Sequence, residues 1–276
     1  MKRVSAIIVL LCLALDLAAA RIVCTTYPVW VLTRNLTRNI DNMQVSLLMP
    51  ANAGCAHEYA PSPQDMRKLA LPGTILIANG LQVDEHIVKM AKKVNRSLIC
   101  IAGTDSPGKY DVHTFASADT ARNMCVKTAE GLSRVDSKNQ QQYAKNLADF
   151  SAELDMIIKE FQLLPAGKTV IIQSDLFINL AALCRCRIIS LRHERSTAAN
   201  SADLKKIYKE LQKNPDAVIW QEKDIPDPAL KNLQKRFKLQ AVELDMLVTG
   251  PNPPPPEHYI SVMQKNLAAI KKAWQK

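Results

Sequence analysis

SKNQQQYAKNLADFSAELDMIIKEFQ, residues 137–162, decides how the rest of the chain is read. Tyr143, Leu147, Phe150, Leu154, Ile157, Ile158 and Phe161 recur at intervals of three and four. That spacing puts apolar side chains on one face of an α-helix about seven turns long. Ser137 can cap its start, and Pro165 with Gly167 ends it. SADTARNMCVKTAEGLSR (117–134) reads as a further helix, capped by Ser117. Hardly a strand signal appears between Ser117 and Phe161.

On both sides of this helical stretch the pattern alternates. RIVCTTYPVWVL (21–32) reads as a strand ending at Thr25–Thr26, with a helix opening near Pro28. VSLLMP (45–50), TILIANG (74–80) and SLICIAG (97–103) are further strands, with helices at 61–70 and 84–94. Beyond the long helix, TVIIQS (169–174), RIISL (187–191), DAVIWQE (216–222) and LQAVELD (239–245) read as strands. Helices fall at 175–184, 201–214, 227–238 and 258–274. Alternation of apolar strands and helices implies parallel sheets. The expected fold class is α/β, with two lobes, each a mostly parallel sheet flanked by helices, joined by one long connecting helix. The boundaries are 21–136 for the first lobe, 137–164 for the connector and 165–276 for the second lobe. Ligands of open α/β sheets bind beyond the carboxyl ends of the strands, here the cleft between the lobes.

The first 20 residues, MKRVSAIIVLLCLALDLAAA, place Lys2 and Arg3 before an apolar run and three alanines after it. This is the order of a secretory signal peptide, cleaved near Ala20–Arg21, and its apolar part is shorter than the roughly 20 residues of a spanning helix. No cysteine follows the small residues directly, so no lipid anchor is indicated. The expected location is periplasmic, as a soluble monomer. The formal charge is +10 at pH 7, but Lys89, Lys92, Lys93, Lys205, Lys206 and Lys209 spread along helices as solvated faces. Nucleic acid is not an expected partner; an anionic membrane surface fits the charge better.

Six cysteines lie beyond the leader: Cys24, Cys55, Cys100, Cys125, Cys184 and Cys186. An even number in an oxidising compartment suggests disulfides, and burial as small apolar residues is the equal alternative. Cys184 and Cys186 are too close to bridge each other in a strand.

The metal-capable side chains fall at strand ends. His57, in GCAHEYAPSPQD (54–65), follows the second strand; His113, in KYDVHTFASAD (109–119), follows the fourth. Ser174–Asp175 and Asp245 close the first and last strands of the second lobe. Imidazole and carboxylate suit a divalent transition ion such as zinc or manganese. His86 reads as a solvated helix residue, His258 as a neighbour of a helix start, and GPNPPPP (250–256) as a stiff surface loop. The chain carries no Ser/His/Asp set, phosphate-cradling glycine loop or dinucleotide fingerprint, and HEYA holds only the first half of HExxH. An enzyme is not expected.

Taken together, these motifs resemble the metal-binding solute-binding proteins of zinc and manganese ABC transporters. TTYP (25–28), CAHEYAPSPQD (55–65), Asn79–Gly80, Asp111-Val112-His113, Tyr143 with Asn146, and YISVMQKNLAAIKKA (259–273) match that family in order. The resemblance implies one metal ion held between two lobes, zinc first with manganese or copper as alternatives, and delivery to an ABC permease. It implies His57, His113 and Asp245 as ligands. The family's remaining ligand, a histidine or glutamate, falls on Ser174, and its usual aspartate before the PH pair is Cys55. A serine hydroxyl is a poor ligand, so Cys55, Asp175, His193, Glu222 or water would have to complete the set. The alternative is a degenerate relative that binds a chelate, another ligand or a partner protein.

Overall fold

The structure, a computed structural model, describes residues 20–54, 56–105, 111–191 and 201–275. Strands β1 (Ala20–Cys24), β2 (Met43–Leu47), β3 (Thr74–Gly80) and β4 (Ile99–Thr104) form a parallel sheet in the order β2-β1-β3-β4. Strands β5 (Thr169–Ile172), β6 (Arg187–Ser190), β7 (Val218–Glu222) and β8 (Gln240–Leu244) repeat that arrangement as β6-β5-β7-β8. The central strands β3 and β5 are apolar runs buried on both faces, as covered parallel sheets require.

Helices α1 (Tyr27–Leu36), α2 (Pro63–Leu69), α3 (Glu85–Val94) and α4 (Ala118–Val135) flank the first sheet. The connector α5 (Gln140–Gln162) follows, then α6 (Ile178–Leu183), α7 (Ser201–Lys213), α8 (Pro228–Phe237) and α9 (His258–Trp274). Two expected caps differ. Ser137 opens a 3-10 turn before α5, so Asn139 is the residue that precedes the helix. Ser117 sits at the start of α4, but its hydroxyl donates to Asp119 at 2.6 Å rather than capping the backbone.

Alternation along the strands divides the core. Ile22, Ile77, Trp220 and Leu244 point inward and share one apolar cluster with Phe150 and Leu154 of α5 and Tyr259 and Met263 of α9. Val23 and Leu76 face a second cluster beneath α3, and Ile171 and Ile219 a third beneath α8. The inner faces of both sheets therefore belong to a single core, with the connector and the last helix inside it. Asn146 adds polar anchoring: its amide donates to Leu36 O at 2.9 Å and Arg38 O at 2.7 Å, closing the end of α1.

The proline-rich segment is tied down. Tyr27 donates to Pro251 O at 3.0 Å and Arg38 to Pro256 O at 2.7 Å, so the segment is strapped onto the two ends of α1. Gly250 lies so close that an added Cβ would fall 2.3 Å from the Tyr27 hydroxyl. All five described cysteines are free thiols, and Cys24, Cys125 and Cys184 are buried. Burial pushes Cys24 up to about 12. Cys184 and Cys186 flank Arg185 at the end of α6, not in a strand.

Candidate metal centre

The rim of the first sheet is braced around one buried carboxylate. Asp84 accepts hydrogen bonds from the Thr25 hydroxyl (2.5 Å), Asn79 N (2.7 Å) and Gly80 N (3.1 Å). Burial raises its pKa and these donors pull it back. Gly80 has φ +87, and a Cβ there would sit 2.0 Å from Thr104 O, so only glycine fits. The Asn79 amide donates to Val112 O at 3.1 Å, which carries the brace to the segment bearing His113. Thr25 of TTYP and the Asn–Gly pair thus hold the strand ends in place.

On that rim the two histidines meet. His57 Nε2 lies 3.2 Å from His113 Nε2, with the rings edge to face. Asp111 Oδ1 is 2.5 Å from His113 Nδ1 and also accepts from His113 N at 2.9 Å. Burial would raise the Asp111 carboxyl, but bonding to His113 outweighs it and holds it low. An ionised Asp111 places the His113 proton on Nδ1 and leaves Nε2 with a lone pair facing His57. This carboxylate–imidazole pairing is the one that orients metal-ligating histidines. Asn179 of α6 clasps the segment from the other lobe: its amide oxygen accepts from Asp111 N (2.9 Å), and its nitrogen donates to Asp111 O (3.1 Å) and His113 O (3.0 Å).

The loop carrying His57 is held by α2 and α3. Ser62 and Asp65 form a capping box, and the Tyr59 hydroxyl donates to Asp65 at 2.7 Å. Burial raises the Asp65 carboxyl, yet bonds from Tyr59, Ser62 and Lys68 dominate and hold it at about 2. His86 is not simply solvated: its Nε2 lies 2.9 Å from Tyr59 O and ties α3 to this loop.

The second rim is assembled differently. Asp245 follows β8 with its main chain gripped by Asn266 of α9, at 3.0 Å and 2.8 Å, and its carboxylate accepts from Leu247 N at 2.9 Å. Ser174 begins the 3-10 turn Asp175–Phe177 with no side-chain cap bond. Glu222 ends β7, and its carboxyl is pushed up to about 7 by burial first and the Asp245 charge second, with His113 opposing. His57 and His113 are brought together, whereas Asp245 stays outside that contact. Among the described residues no three His, Cys, Asp or Glu side chains gather closely enough to enclose an ion. Cys55 and His193 lie outside the described residues. Sequence reading missed the contributions of Asn179, Asn266 and Gln173, buried amides whose only signal is a polar residue inside an apolar pattern.

A family model described as zinc-uptake complex component A, periplasmic, matches residues 22–273. The manganese ABC transporter substrate-binding lipoprotein PsaA of Streptococcus mitis is 26% identical over 164 residues, 51% of this chain and 52% of the relative. The zinc-binding lipoprotein AdcA of Streptococcus pneumoniae is 26% identical over 310 aligned residues, covering 98% of this chain and 61% of the relative. Each match thus spans about half to three-fifths of the relative's length. Among solved structures, the solute-binding protein FpvC of Pseudomonas aeruginosa in complex with Mn2+ superposes with a TM-score of 0.78 at 20% identity, over 93% of this chain and 98% of that one. This likeness shows the shared fold of two parallel four-stranded sheets around a long helix. The family match extends over nearly the whole chain, and the chain belongs to the zinc-uptake complex component A family.

Proposed function

We propose that this family member is an exported binding protein that captures a divalent transition metal between its lobes and hands it to an ABC permease. His57, His113 and Asp245 are the ligands of this reading, with zinc as the first cargo and manganese or copper as competitors. The observation that carries it is the histidine pair, whose Nε2 atoms face each other at 3.2 Å with Asp111 fixing the His113 tautomer. Two imidazole nitrogens held this close are half of a tetrahedral set. An ion would replace the contact between them: His57 would turn its lone pair inward, and Asp245 from the opposite rim would link the lobes. The shared core restricts that linkage to small movements.

Calorimetry on metal-free protein with zinc, manganese and copper tests the site. One ion should bind per chain, and His57→Ala or His113→Ala should each abolish tight binding. Binding that survives both substitutions would overturn the assignment. Delivery is tested by growth under chelation, which wild type should restore in a null strain and His113→Ala should not. A second reading, a relative that holds a chelate or a partner protein, is favoured by Ser174 and predicts no heat with any free ion.

A further inference from the structure

Resting on the metal-capture reading, we propose that Glu222 takes the ligand role that Ser174 cannot fill, so the site is two histidines, one aspartate and one glutamate supplied by a neighbouring strand.

Strand register carries the argument. β5 pairs with β7 as far as Ile172 with Trp220. Beyond it Gln173 N donates to Trp220 O at 3.2 Å and Glu222 N to the Gln173 side chain at 2.8 Å, so Ser174 follows the residue that contacts Glu222. Adjacent strands lie about 4.8 Å apart, so a carboxylate at 222 needs to lean across only one strand spacing. Alternation fixes the face. Val218 and Trp220 point into the inner core, whereas Ile219 points to the outer one. Glu222 shares the parity of Trp220, and Ser174 shares that of Val170 and Ile172, which also face inward. Gln221, of the opposite parity, bonds Glu243 on the exposed side at 3.1 Å.

The backbone under Glu222 is fixed from both flanks. The buried Gln173 side chain accepts from Glu222 N at 2.8 Å and donates to Ile225 O at 3.3 Å, while Lys223 N donates to Leu244 O at 2.9 Å. Glu222 itself pairs with Leu244, one residue before Asp245. Its carboxylate has no hydrogen-bond or ion-pair partner among the described residues, although Asp245 and His113 both lie close enough for their charges to act on it. A half-buried carboxylate in that position fits a cation bridging His113 and Asp245.

The test is titration of metal-free full-length mature protein with Zn2+ and Mn2+ alone. Glu222→Gln should weaken binding about tenfold or more, while Ser174→Ala should bind as wild type. Cobalt substitution adds a spectroscopic readout: the visible absorption of bound Co2+ should change in Glu222→Gln and not in Ser174→Ala. Placing Ser174→Glu in the Glu222→Gln background should recover affinity by returning a carboxylate one strand away. Glu222→Gln that binds both ions with wild-type affinity and cobalt spectrum overturns the inference while leaving the histidine site standing. Wild type that binds neither ion, or whose binding ignores His113→Ala, overturns the underlying reading instead.

Discussion

The two lobes share a strand order but present different rims. On the first, His57 and His113 touch, and the segments that carry them are held by Asp111, Asn79, Asn179 and the Tyr59–His86 contact. On the second, Asp245 and Glu222 have firmly held backbones, through Asn266 and Gln173, but their side chains do not meet the histidines. On one rim the metal-capable side chains meet each other, and on the other they are held separately, Asp245 by Leu247 N and Glu222 through its main chain. For the proposed capture of a metal, pre-organisation on one side would lower the cost of ordering, while the second side would be completed by the cargo.

Breaking the organised rim should have the largest effect. In the proposed reading His113→Ala removes a ligand and should lower zinc affinity by more than the roughly 100-fold that can follow loss of a supporting residue. Calorimetry reads the loss directly, and zinc should no longer raise the melting temperature. Asp111→Asn leaves the proposed ligands in place but frees the His113 tautomer, so affinity should fall about 10- to 100-fold with an unchanged fold by circular dichroism. Asn179→Ala deletes three hydrogen bonds between the lobes; at about 1 kcal/mol each urea denaturation should show a loss of about 2–3 kcal/mol.

The smallest effect sharpens the comparison from outside the cleft. Asp65 has its pKa lowered from 3.8 to about 2, so its contribution is present above about pH 4 and is lost as pH falls toward 2. Asp65→Asn should be less stable at neutral pH and lose less stability over that acid range than wild type.

Much of the fold was legible because buried parallel strands are short apolar runs and the connector keeps helical spacing over about seven turns. TILIANG and TVIIQS announce themselves in this way. The meeting of the histidines was not legible. His57 follows β2 and His113 follows β4, the two outer strands of a sheet ordered β2-β1-β3-β4. Three strand spacings, about 14 Å, separate those strands, and the loops close the gap across the strand ends. Neither strand order nor loop path is written in local spacing. The sequence offered Glu222 only as one of several ways to complete the ligand set, and its tie to Gln173 comes from the adjacency of β5 and β7. Cysteine parity pointed toward bridges, but thiols buried in the core serve as small apolar side chains.

The core shared by Ile22, Phe150, Trp220 and Tyr259 has a consequence for how the molecule fails. Heat or denaturant should meet one cooperative unit and give a single melting transition. A chain severed in the turn after Leu163 would yield two sticky fragments, each displaying the face it had hidden against the other, and neither would survive as a lobe.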